Sequence, residues 1–216
     1  MSSRRLVHLF LTTLLLGGLS AGIVGFIIRW EQYGPLFSSK AFGELFMTFI
    51  WLVGVGLIFS VISQMGFFAY LTIHRFGLGI FKRLWSAVQI VLILFVLFDL
   101  VYLRYVAFGD GGSLLPYLGT AMLLFIIGLV IAYVKMKQTN KQAFVPALFF
   151  MTVVTTVEWV PVLRGNDESW LFFMLIPLLV CNTYQLLILH KINAQSEVEL
   201  QKKRETKESD KSTLKI

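Results

Sequence analysis

KRLWSAVQIVLILFVLFDLVYLRYVAF, Lys82 to Phe108, decides how this chain of 216 residues folds. Its apolar core is longer than the ~20 residues that carry a helix across ~30 Å of hydrocarbon. The stretch therefore reads as a membrane-spanning helix. Asp99 interrupts it, and an acid at such a depth costs about 2.5–3.5 kcal/mol on insertion scales. Such a group is tolerated when it faces other helices or a wet cavity and has a partner. Arg104 lies five residues on, about 140° around a helix, so the two need not pair with each other. The reading of Asp99 thus asks what the rest of the chain supplies.

Composition gives the same class. Hydrophobic residues make up 57% of the chain and charged residues 14%, and the mean hydropathy is +0.78. Soluble domains carry roughly 25% charge. The net charge of +7 could suggest a nucleic-acid partner, but its distribution points elsewhere. Seven of the nineteen Lys and Arg lie in the last 26 residues, and most of the others flank apolar runs, as topology signals do. The single cysteine, Cys181, sits in an apolar run, where it reads as a small buried hydrophobe. It allows neither an internal disulfide nor a multi-cysteine metal site.

Outward from Lys82, the pattern predicts an all-α bundle of six transmembrane helices, at about 6–28, 43–73, 84–107, 114–134, 143–163 and 170–190. The first run is too long for a signal-peptide core of about 7–15 residues and is read as retained. It carries Gly18, Ala21, Gly22 and Gly25, a strip of small residues suited to close helix packing. Residues 29–42 form a loop with interfacial Trp30, Tyr33 and Phe37, broken at Gly34-Pro35. Residues 74–83, HRFGLGIFKR, form a second loop that lies on an anionic surface or docks a protein through Phe76, Leu78, Ile80 and Phe81. Pro177 should kink the sixth span. Residues 191–216 form a charged cytoplasmic tail, helical for a few turns and then disordered.

Alternate loops separate fifteen basic residues from four. The positive-inside rule then places both termini in the cytoplasm. The polar groups fall into two layers. Asp99, Arg104 and Glu158, with Arg29 and Arg164 at the rim, occupy the outer half. Gln64, Gln89, Asn182 and Gln185 occupy the inner half, where amides tie helices together at about 0.6–2 kcal/mol each. The outer cluster is either a structural ion pair or a ligand or proton site.

Enzyme signatures are lacking. No H-E-x-x-H is present, and His8, His74 and His190 all fall at cytoplasmic ends. Ser60 and Ser63 have no His or Lys at their depth. Asp99 and Glu158 lack the setting of an aspartyl pair, and no phosphate-binding glycine loop occurs. The halves share no repeat of the kind many carriers show. No cofactor or metal is expected.

The opening RRLVHLFLTTLLLGGLSAGIVGFIIRWEQYG resembles the start of the KinB-signalling-pathway activation family, KbaA, of spore-forming bacilli. The size, the six spans and the charged tail are similar as well, and the resemblance covers the chain to about His190. It implies a non-enzymatic integral membrane activator of a sensor histidine kinase pathway leading to sporulation, with no catalytic residues. The partners expected are membrane lipids and a membrane sensor kinase or its associated proteins, with no nucleic acid and the oligomeric state left open. The alternative is a small transporter or channel-like protein using the polar layer of Asp99 and Glu158.

The topology is testable with a phosphatase reporter that is active only outside the cell. Fusions after Ser38, Gly111 or Asn166 should be active, and fusions after Gly79 or Thr139 silent. Activity at Gly79 would overturn the six-span reading.

Overall fold

The computed structural model describes residues 3–109, 111–165 and 167–213, with side chains from Arg4 to Gln195 apart from Asp110 and Asn166. Every regular element among the described residues is helical. The long rods are α1 (Ser3–Ile28), α3 (Phe42–Phe81), α4 (Trp85–Phe108), α5 (Leu115–Gln138) and α8 (Glu168–Thr213). A short α2 (Trp30–Ser38) follows α1. Between α5 and α8 runs a composite rod, made of α6 (Phe144–Phe149), a π-helical turn (Phe150–Val154) and α7 (Thr155–Leu163).

Among the described residues five stretches are long and apolar enough to cross a membrane, and one of them, Phe42–Phe108, has 67 residues. That stretch holds two rods, because Lys82 adopts φ 49° and ends α3. A lysine in the left-handed region is unusual, and tertiary contacts hold the reversal. The Trp85 ring covers Gly77, where a Cβ would collide with it. The Trp85 indole N–H donates to His74 Nδ1 at 3.0 Å, and Phe81 stacks on Trp85 at 5.8 Å.

The bundle has two unequal parts. The first is α1, α3 and α8, which pack closely on one another. The strip on α1 is used here. Gly18 faces Val53 and Leu57, Gly22 faces Phe49 and Val53, and Gly25 faces Leu52 and Phe173. From the other side Gly56 lies against Ala21 and the Gly17 carbonyl oxygen, where a Cβ would collide with both. Small residues on both helices let the backbones approach, which dispersion alone then rewards. In the second part, α4 and α5 flank the composite rod. The composite rod and α8 are the interior elements: 61% of each apolar window is buried, against 22% for Phe42–Phe108 and for α5.

Three segments differ from the sequence expectation. Residues 30–38 are helical despite Gly34-Pro35. Proline at that place removes a single hydrogen bond from a short helix. The aromatic residues offset that loss: Phe26 meets Tyr33 and Phe37 edge-on at 5.6 and 5.5 Å, and Trp30 stacks on Phe37 at 5.4 Å. Residues 74–81 are not a loop but the last two turns of α3, because the apolar spacing continues and no proline stops it. The helix of the sixth span carries on to Thr213 through Pro177. Residues 214–216 of the expected tail lie outside the described residues.

Close approach of α1 and α3 gives a direct test. Gly56→Val should lower the melting temperature in detergent, because overpacking at such a site costs about 1–3 kcal/mol. Gly54→Ala, where nothing lies within 4 Å, should leave melting unchanged or raise it. Equal behaviour of the two variants would remove the contact from the fold.

Candidate functional site

The interior junction of α3, α7 and α8 is polar. Asn182 of α8 sits at its centre, fully buried. Its amide N–H groups donate to Glu158 Oε2 at 2.6 Å and to Thr155 Oγ1 at 2.9 Å. Its carbonyl oxygen accepts from the Ser63 hydroxyl at 2.6 Å. Ser63 in turn accepts from Gln185 Nε2 at 2.7 Å, and the same Gln185 nitrogen donates to the Cys181 carbonyl at 3.2 Å. A neighbouring chain ties α3 to α1: Gln64 donates to Ser60 at 3.3 Å, and Ser60 donates to the Thr13 carbonyl at 2.8 Å. The Cys181 thiol approaches that carbonyl at 3.7 Å. Glu158 Oε1, Gln64 Oε1, Gln185 Oε1 and both side-chain polar atoms of Gln89 have no hydrogen-bond partner among the described residues.

Each residue is placed by helix geometry. Ser60, Ser63 and Gln64 are spaced i, i+3, i+4 on α3, which is one helix face. Asn182 and Gln185 are three apart on α8, and Thr155 and Glu158 three apart on α7. Gly66 leaves room for the acid: a Cβ there would collide with Glu158 Oε1. The π turn before α7 inserts an extra residue and so rotates everything after it by about 100°.

The five residues expected in the outer layer divide three ways. Asp99, Arg104 and Arg164 line one groove of about 470 Å³ between α4 and α7. Asp99 is half-buried there, and the Arg104 guanidinium lies over the Tyr117 ring at 5.2 Å. Arg29 sits apart, over Trp170 at 4.3 Å and Phe173 at 5.3 Å. Glu158 belongs with the amides of the inner layer. The Cα–Cβ bond of a helical residue tilts toward the helix N-terminus, so the Glu158 side chain reaches back toward Thr155. Asn182 reaches the opposite way on the antiparallel α8, and the two meet.

Sequence reasoning passed over Thr13, Thr155, Gly66 and Lys135. Thr155 carried a signal in its spacing of three from Glu158 on one helix face, whereas Thr13 joins through its backbone carbonyl, which no side-chain pattern marks. Lys135 carried none: it counted as part of a basic turn, yet it is buried and donates to the Leu186 carbonyl at 2.6 Å. Outside the long apolar stretches, the Asp167 side chain accepts from the Ser169 hydroxyl and backbone N–H, at 2.8 and 2.9 Å, and caps α8. The Ser169 hydroxyl and the Trp170 and Ser169 amides hold its carboxyl below the usual carboxylate range. Phe76, Leu78, Ile80 and Phe81 are all exposed on the last turns of α3.

The arrangement ties α3, α7 and α8 together through directional bonds. Ser63 is bonded to amides, and Cys181 approaches a carbonyl. Among the described residues no group of three or more His, Cys, Asp or Glu comes together as a metal set would require.

An all-helical bundle of long apolar rods, locked by buried amides and hydroxyls, is the class that fold and site define. The chain belongs to the KbaA family, described as KinB-signalling pathway activation in sporulation, which matches residues 17–192. It is 49% identical over 198 residues to a KinB-signaling pathway activation protein of Bacillus subtilis (strain 168), an alignment covering 90% of this chain and 100% of that protein. No solved structure matches.

The network predicts a coupled pair. Gly66→Ala should destabilise the protein by about 1–3 kcal/mol, the range of overpacking. In a Glu158→Ala background the same change should cost less, because the colliding carboxyl is gone. A double-mutant cycle on melting in detergent should therefore give a coupling above about 0.5 kcal/mol. Additive effects would show that the two do not touch.

Proposed function

We propose that the chain is an integral membrane activator of a sensor histidine kinase pathway leading to sporulation, and that it acts by contact, without chemistry of its own. The observation that carries this reading is the 49% identity along the whole length of a KinB-signaling pathway activation protein. The apolar rods support the membrane part. The proposed arrangement has six spans with both termini cytoplasmic, from the distribution of basic residues between alternate loops.

On this reading α3 is too long for the bilayer. Its 40 residues extend about 60 Å, twice the ~30 Å of hydrocarbon. Its last turns, flanked by Arg75, Lys82 and Arg83, project on the cytoplasmic side. They present Leu78, Ile80 and Phe81 as exposed side chains, while Phe76 lines a groove of about 830 Å³ with Phe68, Leu71, Leu189 and Asn193. An apolar tip on a rigid helix, with basic residues around it, fits a protein partner at the membrane surface.

A carrier would need Asp99 and Glu158 along one path. Asp99 opens to the groove between α4 and α7, whereas Glu158 points to α8 and α3.

The reading is tested in cells and in detergent. Replacing Phe76, Leu78, Ile80 and Phe81 together by Ser should abolish activation of the pathway and co-purification of the kinase, while the protein still inserts. Deleting residues 205–216 should change little. The opposite pair of results would move the contact to the tail, and full activation in both variants would remove it from the cytoplasmic ends.

A further inference from the structure

We propose that the crevice between α1, α5 and α8 binds an anionic diacyl phospholipid. One of its two acyl chains lies along α8, the other stays in the bilayer, and its phosphate is held at the basic end by Arg4, His8 and Lys191. The inference rests on the membrane reading above, but not on the choice of kinase pathway.

Two adjoining spaces carry it. The first is an apolar crevice of about 760 Å³, lined by Leu16 of α1, Ile127 of α5 and a stripe of α8. The stripe is Ile176, Val180, Thr183, Leu187 and Lys191, spaced as one face of a helix. The second is a space of about 410 Å³ where Arg4, Arg5, His8, Lys191 and Gln195 join Ile188 and Ile192. The two share Ile188 and Lys191, so the apolar crevice leads into the basic one. No acid lines either space among the described residues. Arg5 is engaged by Gln195, to which it donates, and it closes one side of the basic space.

Size and charge select the occupant. From Ile176 to Lys191 the rise along α8 is about 22 Å, enough for a chain that fills one leaflet of ~15 Å and reaches the headgroup layer. A transmembrane helix of that length and of 10 Å diameter would occupy about 1700 Å³, more than twice the crevice. An acyl chain is the thinner object. A zwitterionic lipid would fill the crevice equally well, but its choline would offset the phosphate charge that Arg4, His8 and Lys191 attract, whereas an anionic headgroup keeps that charge net. Basic pockets between helices at the cytoplasmic side are where anionic headgroups are held.

The test uses the full chain purified in mild detergent, stripped of lipid, and titrated with dioleoyl phosphatidylglycerol or dioleoyl phosphatidylcholine, with bound lipid counted by native mass spectrometry. Phosphatidylglycerol should bind at least tenfold more tightly. Each basic residue near an anionic headgroup is worth a factor of about 5, so Arg4→Gln with Lys191→Gln should cost phosphatidylglycerol about 25-fold and phosphatidylcholine, whose net headgroup charge is zero, clearly less. Thr183→Trp should block the crevice to both lipids without changing the basic end. Equal affinity for the two lipids, or undiminished phosphatidylglycerol binding in both variants, would overturn the proposal. Loss of kinase co-purification from Thr183→Trp with lipid binding intact would overturn it too and assign the crevice to a partner. Recovery of the chain in the aqueous phase without detergent would instead refute the membrane reading beneath it.

Discussion

Asn182 must satisfy a donor pair and an acceptor inside an apolar bundle, and it does so with three side chains on two other helices. Removing any one partner strands a polar group away from water, at about 1–3 kcal/mol. This makes Asn182 a register device. A slide of α8 by one turn, about 5.4 Å, would separate it from Ser63, Thr155 and Glu158 together. Where lipid is the surrounding solvent, apolar contact does not favour one helix arrangement strongly over another, since lipid tails are as apolar as leucine. Directional bonds and small-residue contacts then decide the arrangement.

The small residues and the polar junction divide that task. Between α1 and α3, Gly17, Gly18, Ala21 and Gly56 set the separation by close approach, and Ser60 adds a bond to the Thr13 carbonyl. Between α3, α7 and α8 the amide network sets the register. The composite rod can reach that network because it is not a regular α-helix throughout. Its π turn is buried, with Phe150 and Met151 fully enclosed, and Thr152 and Thr156 bond carbonyls four residues back at 2.7 Å. By contrast α4 carries a mostly exposed surface with Phe95, Phe98 and Tyr102 outward, and its Asp99 groove is open.

The rods were legible in the sequence because an apolar run of some 20 residues has few alternatives. Their ends were less so. Nothing in HRFGLGIFKR distinguishes a surface loop from a continuing helix. The reversal depends on Trp85 lying on Gly77 and bonding His74, a contact between residues on two helices. Likewise the helicity of Trp30–Ser38 depends on Phe26, which sequence pattern does not pair with it. At the site, the polar residues were visible but their grouping by depth was not. Counting residues from a span's end locates the Cα. Glu158 crosses between layers because its side chain leans back along α7, while Arg29 leaves the acids for the faces of Trp170 and Phe173.

The long α3 connects these observations. It has no proline between Phe42 and Phe81, so it is one rod. Its middle carries Gly56, Ser60, Ser63 and Gly66, each of them in contact with α1, α7 or α8. Its end carries the exposed Phe76, Leu78, Ile80 and Phe81. A helix held at its centre by close packing and a bonded junction presents its tip at a fixed height and angle. Exposed phenylalanine and isoleucine on a mobile loop would lose more conformational entropy on meeting a partner, since ordering each residue costs about 1–2 kcal/mol. On α3 that ordering is already done by the interior, so the buried amides far from the tip bear on the contact proposed for it.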